Sequence, residues 1–267
     1  MSKSTSDHAV PTDEQRTDKK SARPELWSGF TAVVVALGVY LIALYSGGVL
    51  LSVYAGLRHW SSAYADNWLN TSISAQFFYV LLDEAITVLL LWAFIRIRKY
   101  KRVLAALGLT KPRPGDFVYV FGGTVVYFTL YILAINFATS VTHININQQQ
   151  DVGFQMVATH GDLILTFLSL VLLPPLVEEI IFRGFLFNGL RRHMRFIGAA
   201  ILTSALFAMP HLFESDGGGL LWTAGIDTFT LSLVLCYVRE KTGRVWAGMM
   251  IHGLKNFLAF YVLFIHH

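Results

Sequence analysis

Seven apolar stretches, at about 27–53, 75–95, 117–138, 162–190, 196–213, 219–238 and 245–265, leave this chain few ways to fold. Most of them approach or exceed the ~18 residues needed to cross a hydrocarbon core about 30 Å thick. A soluble core built from 267 residues cannot bury them all. Charged residues make up only 14% of the chain, against roughly 25% in a typical soluble domain. The expected fold is therefore all-α: a polytopic transmembrane helix bundle with about seven spans. The first stretch begins only near Trp27, too late and too long for a signal peptide, and lacks a convincing cleavage site.

The distribution of lysine and arginine orients these spans. Residues 1–25 are polar, carry Lys3, Arg16, Lys19, Lys20 and Arg23, and read as a disordered cytoplasmic tail. Further clusters follow at Arg96–Arg113, at Arg191, Arg192 and Arg195, and at Arg239, Lys241 and Arg244. The connections between them hold only Arg58, and residues 139–161 contain neither lysine nor arginine. This alternation predicts a cytoplasmic N-terminus and an outer C-terminus, and the plasma membrane of a prokaryote is the expected location. The net charge of +4 is thereby explained without nucleic acid. The basic connection with Gly108-Leu109, Pro112 and Pro114 reads as an amphipathic stretch on the inner surface. Cys236 is the only cysteine, which excludes a disulfide framework or a multi-thiolate zinc site and suggests a small core residue.

Charged side chains inside the membrane each cost at least ~2.5–3.5 kcal/mol on insertion scales. The fourth span nevertheless contains Pro174-Pro175-Leu176-Val177-Glu178-Glu179-Ile180-Ile181-Phe182-Arg183. Glu179 and Arg183 are four apart, acid before base, and can pair on one helix face. Glu178 points about 100° away and has no such cation, an environment suited to general-base work. One buried helix-bridging network of all three is the competing structural reading. In the fifth span Phe207 and His211 share a face, and so do His252 and Asn256 in the seventh. A histidine and an asparagine aligned in this way can cradle a developing oxyanion or join two helices. Asp83 and Glu84, Asp227 and Lys255 are further intramembrane charges with structural or interfacial roles expected. Asp227 and Lys255 are candidates to pair, and Asp83 and Glu84 to line the same cavity.

Together, Glu178-Glu179-x-x-x-Arg183, Phe207-x-x-x-His211 and His252-x-x-x-Asn256 resemble the three-motif pattern of the CPBP family. That family comprises type II CAAX prenyl endopeptidases and bacteriocin-processing or immunity (Abi) proteins. The resemblance covers about residues 162–265. It implies a catalytic helical core over 162–267, preceded at 26–161 by N-terminal transmembrane helices and the basic cytoplasmic loop. It implies an intramembrane endopeptidase acting on a membrane-associated protein or peptide, in CAAX-type or leader-peptide processing. Carried over by position, Glu178 activates the attacking water with His211 as its partner. Glu179 and Arg183 orient the site, and His252 and Asn256 stabilise the oxyanion. The residues alone do not choose between Glu178 and Glu179 as base. Glu178, His211 and His252 are also a candidate two-histidine, one-carboxylate Zn2+ set, although a glutamate-activated water is the favoured expectation. A non-catalytic immunity or scaffold protein of the same fold, or a proton-coupled transporter, are the alternatives.

Depth sets a condition on this site. At 1.5 Å rise per residue, His211 lies about 22 Å from the inner surface, Glu178 about 18 Å and His252 only about 10 Å. Straight helices do not bring His252 to the carboxylates. A tilted or irregular seventh span is expected, with Pro174-Pro175 kinking or interrupting the fourth helix so that water reaches the carboxylates from a cavity open to the cytoplasm.

Overall fold

The computed structural model describes residues 26–142, 144–148, 150–215 and 219–266. The tail predicted over 1–25 lies outside the described residues. The described chain is helical throughout: α1 (Gly29–Leu57), α2 (Ser62–Thr71), α3 (Ile73–Ile97), α4 (Val103–Leu107), α5 (Asp116–Val141), α6 (His160–Arg191), α7 (Phe196–Ala208), α8 (Trp222–Thr242) and α9 (Trp246–Phe264). A short 3-10 turn, Pro210–Phe213, continues α7. Six of these, α1, α3, α5, α6, α7 with its turn, and α9, are long and apolar enough to cross a membrane. The protein is an integral membrane helix bundle.

The expected sixth span corresponds to α8, which has the length for a crossing at 21 residues but not the apolarity. Its position explains the difference. α8 packs against α5, α7 and α9, so protein replaces lipid around Thr228, Thr230 and Ser232, all buried. α5 shows the opposite case. Only Asp116 and Tyr127 of α5 are buried, and Phe117, Val118, Phe121 and Phe137 face outward, as lipid contact requires.

Small residues let the helices approach. Ala32, Ala36, Ala43 and Gly47 lie on the buried face of α1, which packs on α3 and α6. This is the pattern expected where lipid supplies no hydrophobic drive between helices. A Cβ at Gly189 of α6 would come within 2.5 Å of the Ala32 Cβ. Trp27 locks the start of α1 by donating from Nε1 to the Phe185 carbonyl at 2.8 Å.

The basic connection between α3 and α5 is docked onto the bundle. Arg239 donates to the Ala106 carbonyl at 2.9 Å, Val245 N–H to the Gly108 carbonyl at 3.2 Å, and Trp246 Nε1 to the Thr110 carbonyl at 2.6 Å. Arg244 pairs with Asp116 at 2.5 Å, a hydrogen bond that raises the guanidinium above its ordinary basicity. Gly108 ends α4 at φ +79°, which favours glycine. Gly184 of α6 sits so close below it that a Cβ would meet the Leu107 carbonyl oxygen at 2.7 Å. At the other end of the bundle, Gln76 accepts from Phe154 N–H at 2.7 Å and Gln150 donates to Glu214 at 2.6 Å, tying down the connection before α6.

Candidate active site

The prolines do not break α6. It runs unbroken from His160 to Arg191, and the turns at Leu168–Leu172 and Glu179–Phe187 widen to π-helix. Wide turns are a recurrent feature of functional sites in helices. They advance the chain less per residue than α-helical turns. The carboxylates and His252 of α9 meet in this structure.

Glu179 and Arg183 pair as their spacing predicts, Arg183 Nη1 donating to Glu179 Oε1 at 2.7 Å with both side chains 0% exposed. His252 lies between the two glutamates. Its Nδ1 is 3.5 Å from Glu179 Oε1 and its Nε2 is 3.9 Å from Glu178 Oε2. Glu178 remains 25% exposed, while Glu179 is 0% exposed. The two adjacent acids thus have different surroundings. Glu179 is a fixed, paired anion, and Glu178 is reachable and uncommitted.

His211 stands on the turn that continues α7. Its Nδ1 lies 3.1 Å from the Phe207 carbonyl, and because a carbonyl only accepts, Nδ1 carries the proton in that bond. Nε2 is then left as an acceptor. Phe207 is where the three motifs touch. Its ring lies 4.3 Å from the Arg183 guanidinium carbon, 5.4 Å from the His211 ring and 5.8 Å from the His252 ring. Phe207 is buried and packs against Arg183, His211 and His252.

Asn256 is placed apart from the carboxylates, one turn beyond His252. Its amide donates to the Leu170 carbonyl at 2.9 Å. That carbonyl is the one an α-helical Pro174 would have engaged had it an N–H. Asn256 therefore repairs the hydrogen bonding that the prolines interrupt, and keeps a second amide proton for other use. Asp227 and Lys255 pair at 3.0 Å, and Tyr127 donates to the same carboxylate, joining α5, α8 and α9 outside the site.

Gly248 was not visible as a functional position in the sequence. A Cβ there would stand 2.7 Å from Glu179 Oε2. Gly248, His252 and Asn256 form one stripe at four-residue spacing on α9, which is the signal that could have revealed it. Gly248→Ala is expected to push Glu179 and with it His252 out of place, lowering kcat by about 10- to 100-fold at nearly unchanged folding. Steady-state kinetics beside a thermal melt checks this.

Among the described residues no group of three or more His, Cys, Asp and Glu is placed to hold a metal ion. His252 keeps Nδ1 toward Glu179 and Nε2 toward Glu178.

Residues 160–258 match the family model described as Type II CAAX prenyl endopeptidase Rce1-like. The matched segment contains all three motifs and leaves out α1 to α5. Neither the curated proteins nor the solved structures give a match to the chain.

Proposed function

We propose that the chain, whose residues 160–258 match the Rce1-like model of type II CAAX prenyl endopeptidases, hydrolyses a peptide bond of a membrane-associated protein or peptide through a water activated by Glu178 and His211. The substrate is a CAAX-type carboxyl terminus or a leader peptide held at the membrane. The observation that carries this reading is the unequal treatment of the two glutamates: Glu179 is sealed against Arg183, while Glu178 is open to water beside His252.

In this mechanism Glu178 takes a proton from water as the oxygen attacks the scissile carbonyl carbon, and His211 Nε2 helps to hold that water. The tetrahedral intermediate places its negative oxygen against His252, with the free amide proton of Asn256 as a second donor. Collapse breaks the C–N bond, and Glu178 returns its proton to the departing amine. Glu179 and Arg183 hold the His252 ring. Phe207 keeps the imidazoles and the guanidinium in register.

The test is cleavage of membrane-anchored peptides by detergent-purified protein, with Glu178→Ala as control. New carboxyl termini from the wild type alone support the reading, and equal products from both oppose it. A water activated by Glu178 and His211 needs no metal, so dialysis against EDTA or 1,10-phenanthroline is expected to leave the rate within about twofold. Loss of activity restored by Zn2+ would contradict this mechanism.

A further inference from the structure

α3 brings two more carboxylates to the seam where it packs on the Leu173–Glu178 segment of α6. Glu84 is 8% exposed, and no hydrogen bond or ion pair among the described residues engages its carboxylate. Asp83 Oδ1 is likewise buried without a hydrogen bond. The charges that act on Glu84 are those of Glu178 and then Asp83, both negative. Glu178 also acts on Asp83 and on the Tyr40 hydroxyl of α1, and Asp83 acts on Tyr79. Three acids and two phenols therefore share one region, with Glu178 the acid beside His252.

Neighbouring carboxylates in apolar surroundings do not all ionise together, since each further charge is both desolvated and repelled. We propose that Glu84 is a positioning residue that stays protonated in this buried group of acids, so that Glu178 holds the negative charge when it activates water. Glu84 takes the proton because it is the more deeply buried of the two. Charge is then conserved through the reaction. As Glu178 accepts the proton of water, its negative charge passes to the oxyanion, and Glu84 stays neutral. Ionised, Glu84 would set a second negative charge near the forming oxyanion and slow the step.

This inference rests on Glu178 as base, and it has a test that does not need turnover. In purified wild-type protein near neutral pH, infrared spectroscopy is expected to show the C=O stretch of a protonated carboxyl group that disappears in Glu84→Gln. Glutamine has the same size and is permanently neutral, so kcat near neutral pH is expected within about threefold of wild type. The alkaline fall in kcat/KM is expected to move up by about one pH unit or more. Asp83→Asn is expected to leave both band and alkaline limb in place. Absence of the band in the wild type, an alkaline limb unmoved in Glu84→Gln, or a folded but inactive Glu84→Gln would each overturn the proposal. A band lost in Glu84→Gln from a protein that cleaves nothing upholds the neutral Glu84 and counts against the peptidase reading, so the two failures are separable.

Discussion

Glu178→Gln lowers kcat for cleavage of a membrane-anchored peptide by about 10²- to 10⁴-fold, the range contributed by a positioned acid–base group. KM changes little, because glutamine keeps the size of the side chain and removes only its basicity. The expectation follows from the surroundings of the side chain. Glu178 is 25% exposed and has no cation dedicated to it, and His252 Nε2 lies 3.9 Å from its Oε2. Its loss therefore leaves no buried partner stranded. A thermal midpoint close to wild type is the accompanying result, and a large drop would point to a structural role instead.

Arg183→Ala has the opposite profile. It strands Glu179, 0% exposed, without its cation, and removal of one partner from a buried pair costs about 3–5 kcal/mol. At roughly 2–4 °C per kcal/mol for a domain of this size, the thermal midpoint falls by roughly 6–20 °C. The Phe207 ring also loses the guanidinium stacked at 4.3 Å. Replacing both members, as Glu179→Met with Arg183→Leu, recovers much of the stability because no unpaired charge is left. Activity does not return, since His252 has lost the carboxylate at 3.5 Å that holds it. Scanning calorimetry and the peptide assay on the three variants separate the two effects.

What could be read from the sequence depended on whether the signal was local. Glu179 and Arg183 pair because four-residue spacing within one helix is enough to bring them together. Span boundaries were legible for the same reason. The expected 196–213 coincides with Phe196–Phe213, and 162–190 falls just inside His160–Arg191. Asp227 with Lys255 was also within reach, because two opposite charges in adjacent apolar spans have few other partners. The polarity of α8 was harder to interpret, since only the packed bundle shows that α5, α7 and α9 take the place of lipid.

The widened turns of α6 could not be read. A π-turn depends on where Pro174 and Pro175 leave carbonyls free and on what Asn256, 86 positions from the Leu170 carbonyl, supplies in exchange. Straight-helix arithmetic therefore did not bring His252 to the carboxylates, and α6 shows widened turns without a break at the prolines. Gly248 was missed because a glycine in a membrane helix has many uses, and only the 2.7 Å approach of Glu179 selects this one. Glu84 lies outside the matched segment, and its relation to Glu178 exists only where α3 crosses α6.

The central claim is that this site hydrolyses peptide bonds with a water activated by Glu178. Its most direct test is mass spectrometry of membrane-anchored peptides incubated in 18O-labelled water with purified wild-type protein and Glu178→Gln. The account predicts a defined new carboxyl terminus carrying one 18O, formed by the wild type and not by the variant. No cleavage of any such peptide by folded wild-type protein, or the same labelled product from both proteins, would contradict it.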